Sequence, residues 1–314
     1  MSNRKVGIIG AGAVGATAAY TLGMMGICDE IVLYDINQDI AIGKAIDIEQ
    51  STIYSKKITK ITGATDASDL TNCEVVVITA GVPRKDGMTR EDLLMINAKI
   101  IKDVVEKIVK YSPHAKIICV ANPLDVMTYV VHKLTSWDSS RIIGMAGALD
   151  SSRMAYEINK ITNYGCSGIK AMVIGDHGEN MIPSTQLSNI GGVQLESLIS
   201  EEDMKNIIER TKNGGAKIVK HLGTSAYYAP ARGIAVMVEA ILDDNKIVMP
   251  SSVLLNNEYG YNDVTVGVPV VLGKNGIEKI IEIDMNEEIQ EKFASSVKSI
   301  ESGINILKEN NFFN

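Results

Sequence analysis

Through the first half of the chain, short β-branched runs alternate with segments whose apolar residues recur at i, i+3 and i+4. The runs at 5–9, 30–34, 74–79, 116–120 and 141–144 read as strands, and the stretches near 14–26, 39–51, 90–111 and 123–136 read as helices. Strands that alternate with crossover helices predict an α/β fold, with a doubly wound parallel sheet in the first half. Beyond about residue 145 the rhythm changes. A helix is expected over 150–161, a strand over 171–174, then a turn-rich stretch through Gly191-Gly192 and helices near 201–213 and 216–242. Runs at 247–255 and 264–272 should pair as antiparallel strands, and a helix over 286–307 closes the pattern. The expected organisation is two domains, 1–145 and 146–314, sharing a continuous interface with a ligand cleft between them.

With 46% apolar residues, the 314-residue chain has ample material for a core, and its formal charge of −7 argues against a basic nucleic-acid footprint. An anionic ligand must therefore be captured by individually placed Arg or Lys side chains. No apolar run approaches the ~20 residues of a membrane span. Arg4 and Lys5 lead straight into the first apolar run, so the expectation is a cytoplasmic protein without a leader. Cys28, Cys73, Cys119 and Cys166 show neither a C-x-x-C pair nor a zinc spacing and are expected to be reduced core residues. No paired-carboxylate site or His cluster has divalent-metal spacing, and no metal is expected.

Gly10-Ala11-Gly12-Ala13-Val14-Gly15 is a G-x-G-x-x-G pattern between a strand and a helix. In that setting Gly10 serves a tight turn, Gly12 lets the backbone approach a pyrophosphate, and Gly15 lets the helix pack close to the strand. The helix N-terminus turns its free N–H groups toward the phosphates. Asp35, twenty residues after Gly15, ends the second strand, where a carboxylate accepts from ribose hydroxyls and repels a 2′-phosphate. The next basic residue is Lys44, so the pattern favours NAD over NADP.

Of four histidines, His114 and His132 are expected on helix or loop surfaces and His221 in a helical pattern beside Lys220, whereas His177 follows a buried-type strand within Gly175-Asp176-His177-Gly178. Asp150 and Arg153, three apart on one helix face, suit an aspartate that orients an imidazole and an arginine that offers a planar fork to a carboxylate. An ordinary surface ion pair is the alternative for these two. Asp176, beside the histidine, is expected to raise its pKa. Residues 80–90 carry Arg84 and Arg90 among two glycines and a proline, and read as a closing lid that brings arginines onto a substrate.

Together with Asn122-Pro123-Leu124-Asp125 and Gly144-Met145-Ala146-Gly147, these motifs resemble the L-lactate/malate dehydrogenase superfamily over essentially the whole chain. Within it the chain is most similar to the lactate-dehydrogenase-like malate dehydrogenases. The resemblance implies a Rossmann N-terminal domain, an α+β substrate domain, and reversible hydride transfer between L-malate and NAD+. His177 would be the proton acceptor or donor, Asp150 its orienting partner, Arg153 the clamp on the C1 carboxylate, and Arg90 the group that polarises the reacting carbonyl. Asn122 would position substrate and cofactor, and Asn97 would join Gly10, Gly12, Ala13, Val14, Gly15 and Asp35 in cofactor binding. Arg84 stands where the family's malate enzymes carry Arg and its lactate enzymes usually carry Gln, which suits a second substrate carboxylate. Asp86 stands where many relatives have Pro. The resemblance also implies a homo-oligomer, tetramer or dimer, acting on a small-molecule substrate in the tricarboxylic acid cycle. Competing readings are a lactate or dual-specificity enzyme and a non-catalytic NAD-binding sensor.

Overall fold

The computed structural model describes residues 4–55, 57–83 and 87–313. Among the described residues, twelve strands and eight α-helices follow in chain order. The first half contains β1 (Lys5–Ile9), α1 (Ala13–Met25), β2 (Glu30–Tyr34), α2 (Gln38–Thr52), β3 (Lys60–Gly63) and β4 (Val75–Ile78). It continues with α3 (Arg90–Tyr111), β5 (Lys116–Cys119), α4 (Leu124–Thr135) and β6 (Ile142–Gly144). Next come α5 (Ala146–Thr162), β7 (Ile169–Ile174), β8 (Ile182–Ile190), β9 (Val193–Gln194), α6 (Glu201–Leu222) and α7 (Tyr228–Leu242). The chain ends with β10 (Ile247–Asn256), β11 (Asn262–Gly273), β12 (Gly276–Ile280) and α8 (Glu287–Glu309).

The strand order β6-β5-β4-β1-β2-β3 is parallel throughout and reverses direction of growth at β1 and β4, which is the doubly wound arrangement. Its strands are buried on both faces. Val75 and Val77 of β4 pack into the layer with α1, α2 and α7, while Val76 and Ile78 pack into the layer with α3, α4 and α8. The same sheet runs on past residue 145: Ser252 of β10 pairs antiparallel with Gly144 of β6, and β11 and β12 extend it to nine strands. The expected antiparallel pair is present as β10 and β11, in register from Ile247↔Leu272. A separate sheet, β7-β8-β9, packs with α5 and α6 over a third core around Met154, Leu195 and Ile207.

Several expectations need correction. The helix break read at Gly214-Gly215 is absent, because α6 runs through both glycines to Leu222 and ends at its cap, Gly223, whose N–H bonds the Val219 carbonyl. Those glycines instead leave room for a neighbour, since a Cβ at Gly214 would lie 3.3 Å from Arg153 Cδ. His132 faces inward on α4 and is 6% exposed, and burial lowers its pKa to about 4. Cys166 is exposed on a short turn, while Cys28, Cys73 and Cys119 are buried as expected. Strands β3 and β12 and the polar strand β8 lie in stretches that the hydrophobic pattern leaves without elements.

Candidate active site

The glycine loop joins β1 to α1 in the shape its spacing implies. Gly10 has φ +109°, and a Cβ there would lie 2.8 Å from the Ala80 nitrogen. At Gly15 a Cβ would collide with the Gly10 carbonyl, so helix and loop meet backbone to backbone. Around Gly12 there is nothing within 4 Å, and as the N-cap of α1 it leaves the helix N-terminus without a side-chain cap. Ala13 and Val14 form the first turn of α1 beside that open space. Asp35 braces the loop: Oδ2 accepts the Ala11 N–H at 2.6 Å and Oδ1 accepts the Asn37 N–H at 2.9 Å. Lys44, on α2, donates to the Ala11 carbonyl at 2.6 Å. An open cradle, free helix N–H groups and a carboxylate at the strand end fit a dinucleotide.

His177 lies just beyond β7. Gly175 (φ +87°) exchanges two backbone hydrogen bonds with Gly267 of β11, at 2.8 and 3.0 Å, which fixes where the strand ends. The His177 N–H then donates to Asp125 Oδ2 at 2.8 Å. On the ring, Nδ1 is 2.7 Å from Asp150 Oδ2, while Asp150 Oδ1 accepts from Arg153 Nη1 at 2.9 Å. The two residues on one face of α5 therefore form more than a surface pair: Asp150 is 1% exposed and divides its carboxylate between histidine and arginine. Arg153 Nε is buried with no partner among the described residues. Burial by itself lowers the His177 pKa. The charge and hydrogen bond of Asp150, with the charge of Asp125 behind them, outweigh burial and the opposing Arg153, so the imidazole sits above its ordinary value. Burial also raises the Asp176 carboxyl, whose Oδ2 accepts from Asn180 at 3.1 Å.

Arg90 is the first residue of α3, behind the Thr89–Asp92 capping box. Its guanidinium points outward at 81% exposure and donates to Glu179 Oε1 at 3.1 Å. A cavity of 570 Å³ separates the head of α3 from α8, and Arg90, Asn122, Asp125, Asp176 and His177 all line it. Asn97, 1% exposed, holds Val82 through both its amide oxygen (2.9 Å) and nitrogen (3.2 Å), and also donates to the Asn122 carbonyl at 2.7 Å. It thus braces Val82, just after β4, against Asn122 at the end of β5. Arg84 and Asp86 lie outside the described residues. Motif reading gave no role to Asp125 or Lys44 and did not single out Glu179. Asp125 was visible only as the last residue of Asn122-Pro123-Leu124-Asp125, and Lys44 only as the first base after Asp35.

Residues 4–144 match the model of the lactate/malate dehydrogenase NAD-binding domain, and residues 147–311 match that of the lactate/malate dehydrogenase α/β C-terminal domain. The chain belongs to the lactate/malate dehydrogenase family. A malate dehydrogenase of Sulfurimonas denitrificans is 53% identical, over 99% of this chain and 98% of that protein. The crystal structure of Cryptosporidium parvum malate dehydrogenase superposes with a TM-score of 0.93 at 39% identity, covering 98% of this chain and 99% of that one. The lactate dehydrogenase of the same organism, complexed with lactic acid and nicotinamide adenine dinucleotide, gives a TM-score of 0.93 at 37% identity over 98% and 99% of the two chains. The family fold is thus shared by malate and lactate enzymes, and overall similarity of shape does not separate the two substrates.

Proposed function

We propose that this lactate/malate dehydrogenase family member is an NAD-dependent malate dehydrogenase that interconverts L-malate and oxaloacetate. The observation that carries the reading is the carboxylate of Asp150, shared between His177 Nδ1 and Arg153 Nη1. With Nδ1 held by Asp150, Nε2 is the nitrogen left to take the malate hydroxyl proton or return it to the oxaloacetate oxygen. NAD, held by the glycine loop and Asp35, would supply the hydride acceptor for C2 of malate and, once reduced, the hydride donor for oxaloacetate. The buried, unpartnered Nε of Arg153 suits a carboxylate, since an unsatisfied charged donor is costly and its fork pairs bidentately. Arg90 would exchange Glu179 for the reacting oxygen as the head of α3 moves inward. Asn122 and Asn97 would hold the lid stem and strand end against the nicotinamide, while Gly10, Gly12, Ala13, Val14, Gly15 and Asp35 hold pyrophosphate and ribose.

Arg84 favours malate over lactate. Oxaloacetate brings two carboxylates into a water-poor site, Arg153 neutralises one, and an unpaired buried charge costs several kcal/mol. Pyruvate conversely leaves Arg84 without a partner. In this reading the chain divides into a cofactor domain, 1–145, and a substrate domain, 146–314. A second copy would cover the exposed apolar side chains Tyr20, Met24 and Met25 of α1 and Ile46 of α2, giving a dimer or tetramer. Three buried thiols are consistent with the reducing cytoplasm, where the reaction belongs to the tricarboxylic acid cycle. Among the described residues no helix is long and apolar enough to cross a membrane.

The test is turnover of oxaloacetate with NADH by wild type and His177→Ala. The variant is expected to lose ~10²–10⁴ in kcat while binding NADH normally, the range general acid–base catalysis contributes. Unchanged turnover would remove His177 from its role, and no turnover by wild type would favour a non-catalytic NAD-binding protein.

A further inference from the structure

Asp125 is the second residue of α4 and has no task in the mechanism above, yet it is 5% exposed and lies directly behind the catalytic loop. Its Oδ2 accepts the His177 backbone N–H at 2.8 Å, and its carbonyl accepts the Thr265 hydroxyl at 2.7 Å, so α4, β11 and the loop meet at this residue. Its Oδ1 is buried, and the buried Ser252 hydroxyl is the neighbour that helps hold the carboxylate. An asparagine would accept the same N–H without burying a charge, and a buried carboxylate is costly unless its charge has a use. The use is visible in Asp150. That carboxylate shares itself between His177 and the Arg153 guanidinium, so part of its negative charge is already neutralised and cannot all support the ring.

We propose that Asp125 is a positioning residue for proton transfer, which fixes the His177 loop through the backbone N–H and supports the imidazolium with a second buried negative charge. This rests on the reading of His177 as the proton carrier. The charged groups around the pair come from four elements. Asp150 and Arg153 face His177 from α5, Asp125 faces it from α4, and Asp176 precedes it in the loop. Arg90 of α3 and Glu179 neutralise each other at the cavity edge. Burial pushes the Asp125 carboxyl up to about 6, against the pull of the His177 N–H, the Ser252 hydroxyl and the His177 charge, so it is charged at neutral pH and loses that charge in mild acid.

Two substitutions separate the hydrogen bond from the charge. Asp125→Asn keeps an oxygen for the N–H and removes the charge, whereas Asp125→Leu removes both. The direct readout is NMR titration of the imidazole in the full chain, with His114, His132 and His221 as internal references and His177→Gln for assignment. In Asp125→Asn the His177 midpoint should fall by roughly half to one pH unit, the lower end of what a nearby opposite charge supplies. The pH at which oxaloacetate reduction falls to half should move down with it, with kcat affected more than KM and NADH binding unchanged. Asp125→Leu should add a further loss in kcat of about tenfold as the loop loses its anchor. In wild type, the Asp125 carboxyl carbon should titrate near pH 6, with the His177 ring responding in step. A His177 midpoint within about 0.2 unit of wild type in Asp125→Asn overturns the proposal, as does a wild-type ring indifferent to Asp125. A shifted ring titration with an unshifted rate profile supports the part of Asp125 and contradicts His177 as the proton carrier.

Discussion

Asp150 Oδ2 stands 2.7 Å from His177 Nδ1, and this contact leaves Nε2 as the ring nitrogen that can meet a substrate. It also sets the sign of the pH dependence. The imidazolium is stabilised by two carboxylates, so its pKa lies above the ordinary histidine value despite burial. With His177 as the proposed proton carrier, reduction of oxaloacetate would need the protonated ring, so kcat/KM in that direction should hold to a pH above 6.5 and fall as pH rises through the His177 pKa. Oxidation of malate would need the neutral ring and should rise over the same interval. Initial rates in both directions across pH 5–10, at saturating cofactor, check this. Parallel profiles would contradict the assignment.

The same pair makes a stability contribution of fixed sign. A histidine with a folded pKa above its unfolded value adds stability that is complete below about 6.5 and is lost as pH rises through the folded pKa. His177→Gln should therefore narrow the difference in Tm between mildly acidic and mildly alkaline solution. Thermal unfolding at a series of pH values measures it, and an unchanged difference would mean that the ion pair is not formed.

Arg153 lies against Gly214 and Gly215, which are interior residues of α6. A leucine at 214 favours the helix by up to ~1 kcal/mol yet drives its side chain into the guanidinium stem. Gly214→Leu is expected to raise KM for oxaloacetate about tenfold, the effect of displacing one charge partner by ~1.4 kcal/mol, with NADH affinity and Tm preserved. An unchanged KM would show that Arg153 has room to spare or does not bind substrate.

Lys44 and Asp35 grip the same residue of the phosphate loop from opposite ends, through the carbonyl and N–H of Ala11. Lys44→Met removes the charged donor and should weaken NADH binding by ~5–30-fold, corresponding to 1–2 kcal/mol, without changing kcat at saturation. Fluorescence titration of NADH is the measurement, and an unaltered Kd would mean that Asp35 alone holds the loop.

The parallel half of the fold was legible because its strands are buried on both faces and its helices are framed by clear signals. β1 and β2 are near-continuous apolar runs, and the Thr89–Asp92 box announces the start of α3. The second half was less legible because tertiary packing overrides local preference there. Gly214-Gly215 carries the chemistry of a helix break, but its lack of side chains serves Arg153 on α5. β8, with Ser184, Thr185, Gln186 and Ser188, has too few apolar residues to show as a strand and is held by pairing with β7. At the site, His177, Asp150 and Arg153 were each identifiable by residue type and setting. Their shared carboxylate, and Asp125 beneath the loop, arise from contacts 27 and 52 residues apart that no local pattern encodes.

In the proposed function, a histidine and arginines handle a dicarboxylic substrate, and Arg84 chooses oxaloacetate over pyruvate. The measurement is kcat/KM for both 2-oxo acids at saturating NADH, on wild type and Arg84→Gln. Wild type should prefer oxaloacetate by ~10²–10⁴, the range set by about 3–5 kcal/mol for one missing charge partner, and the variant should lose or reverse that preference. A wild-type preference for pyruvate, or a preference for oxaloacetate that survives the substitution, would contradict the account.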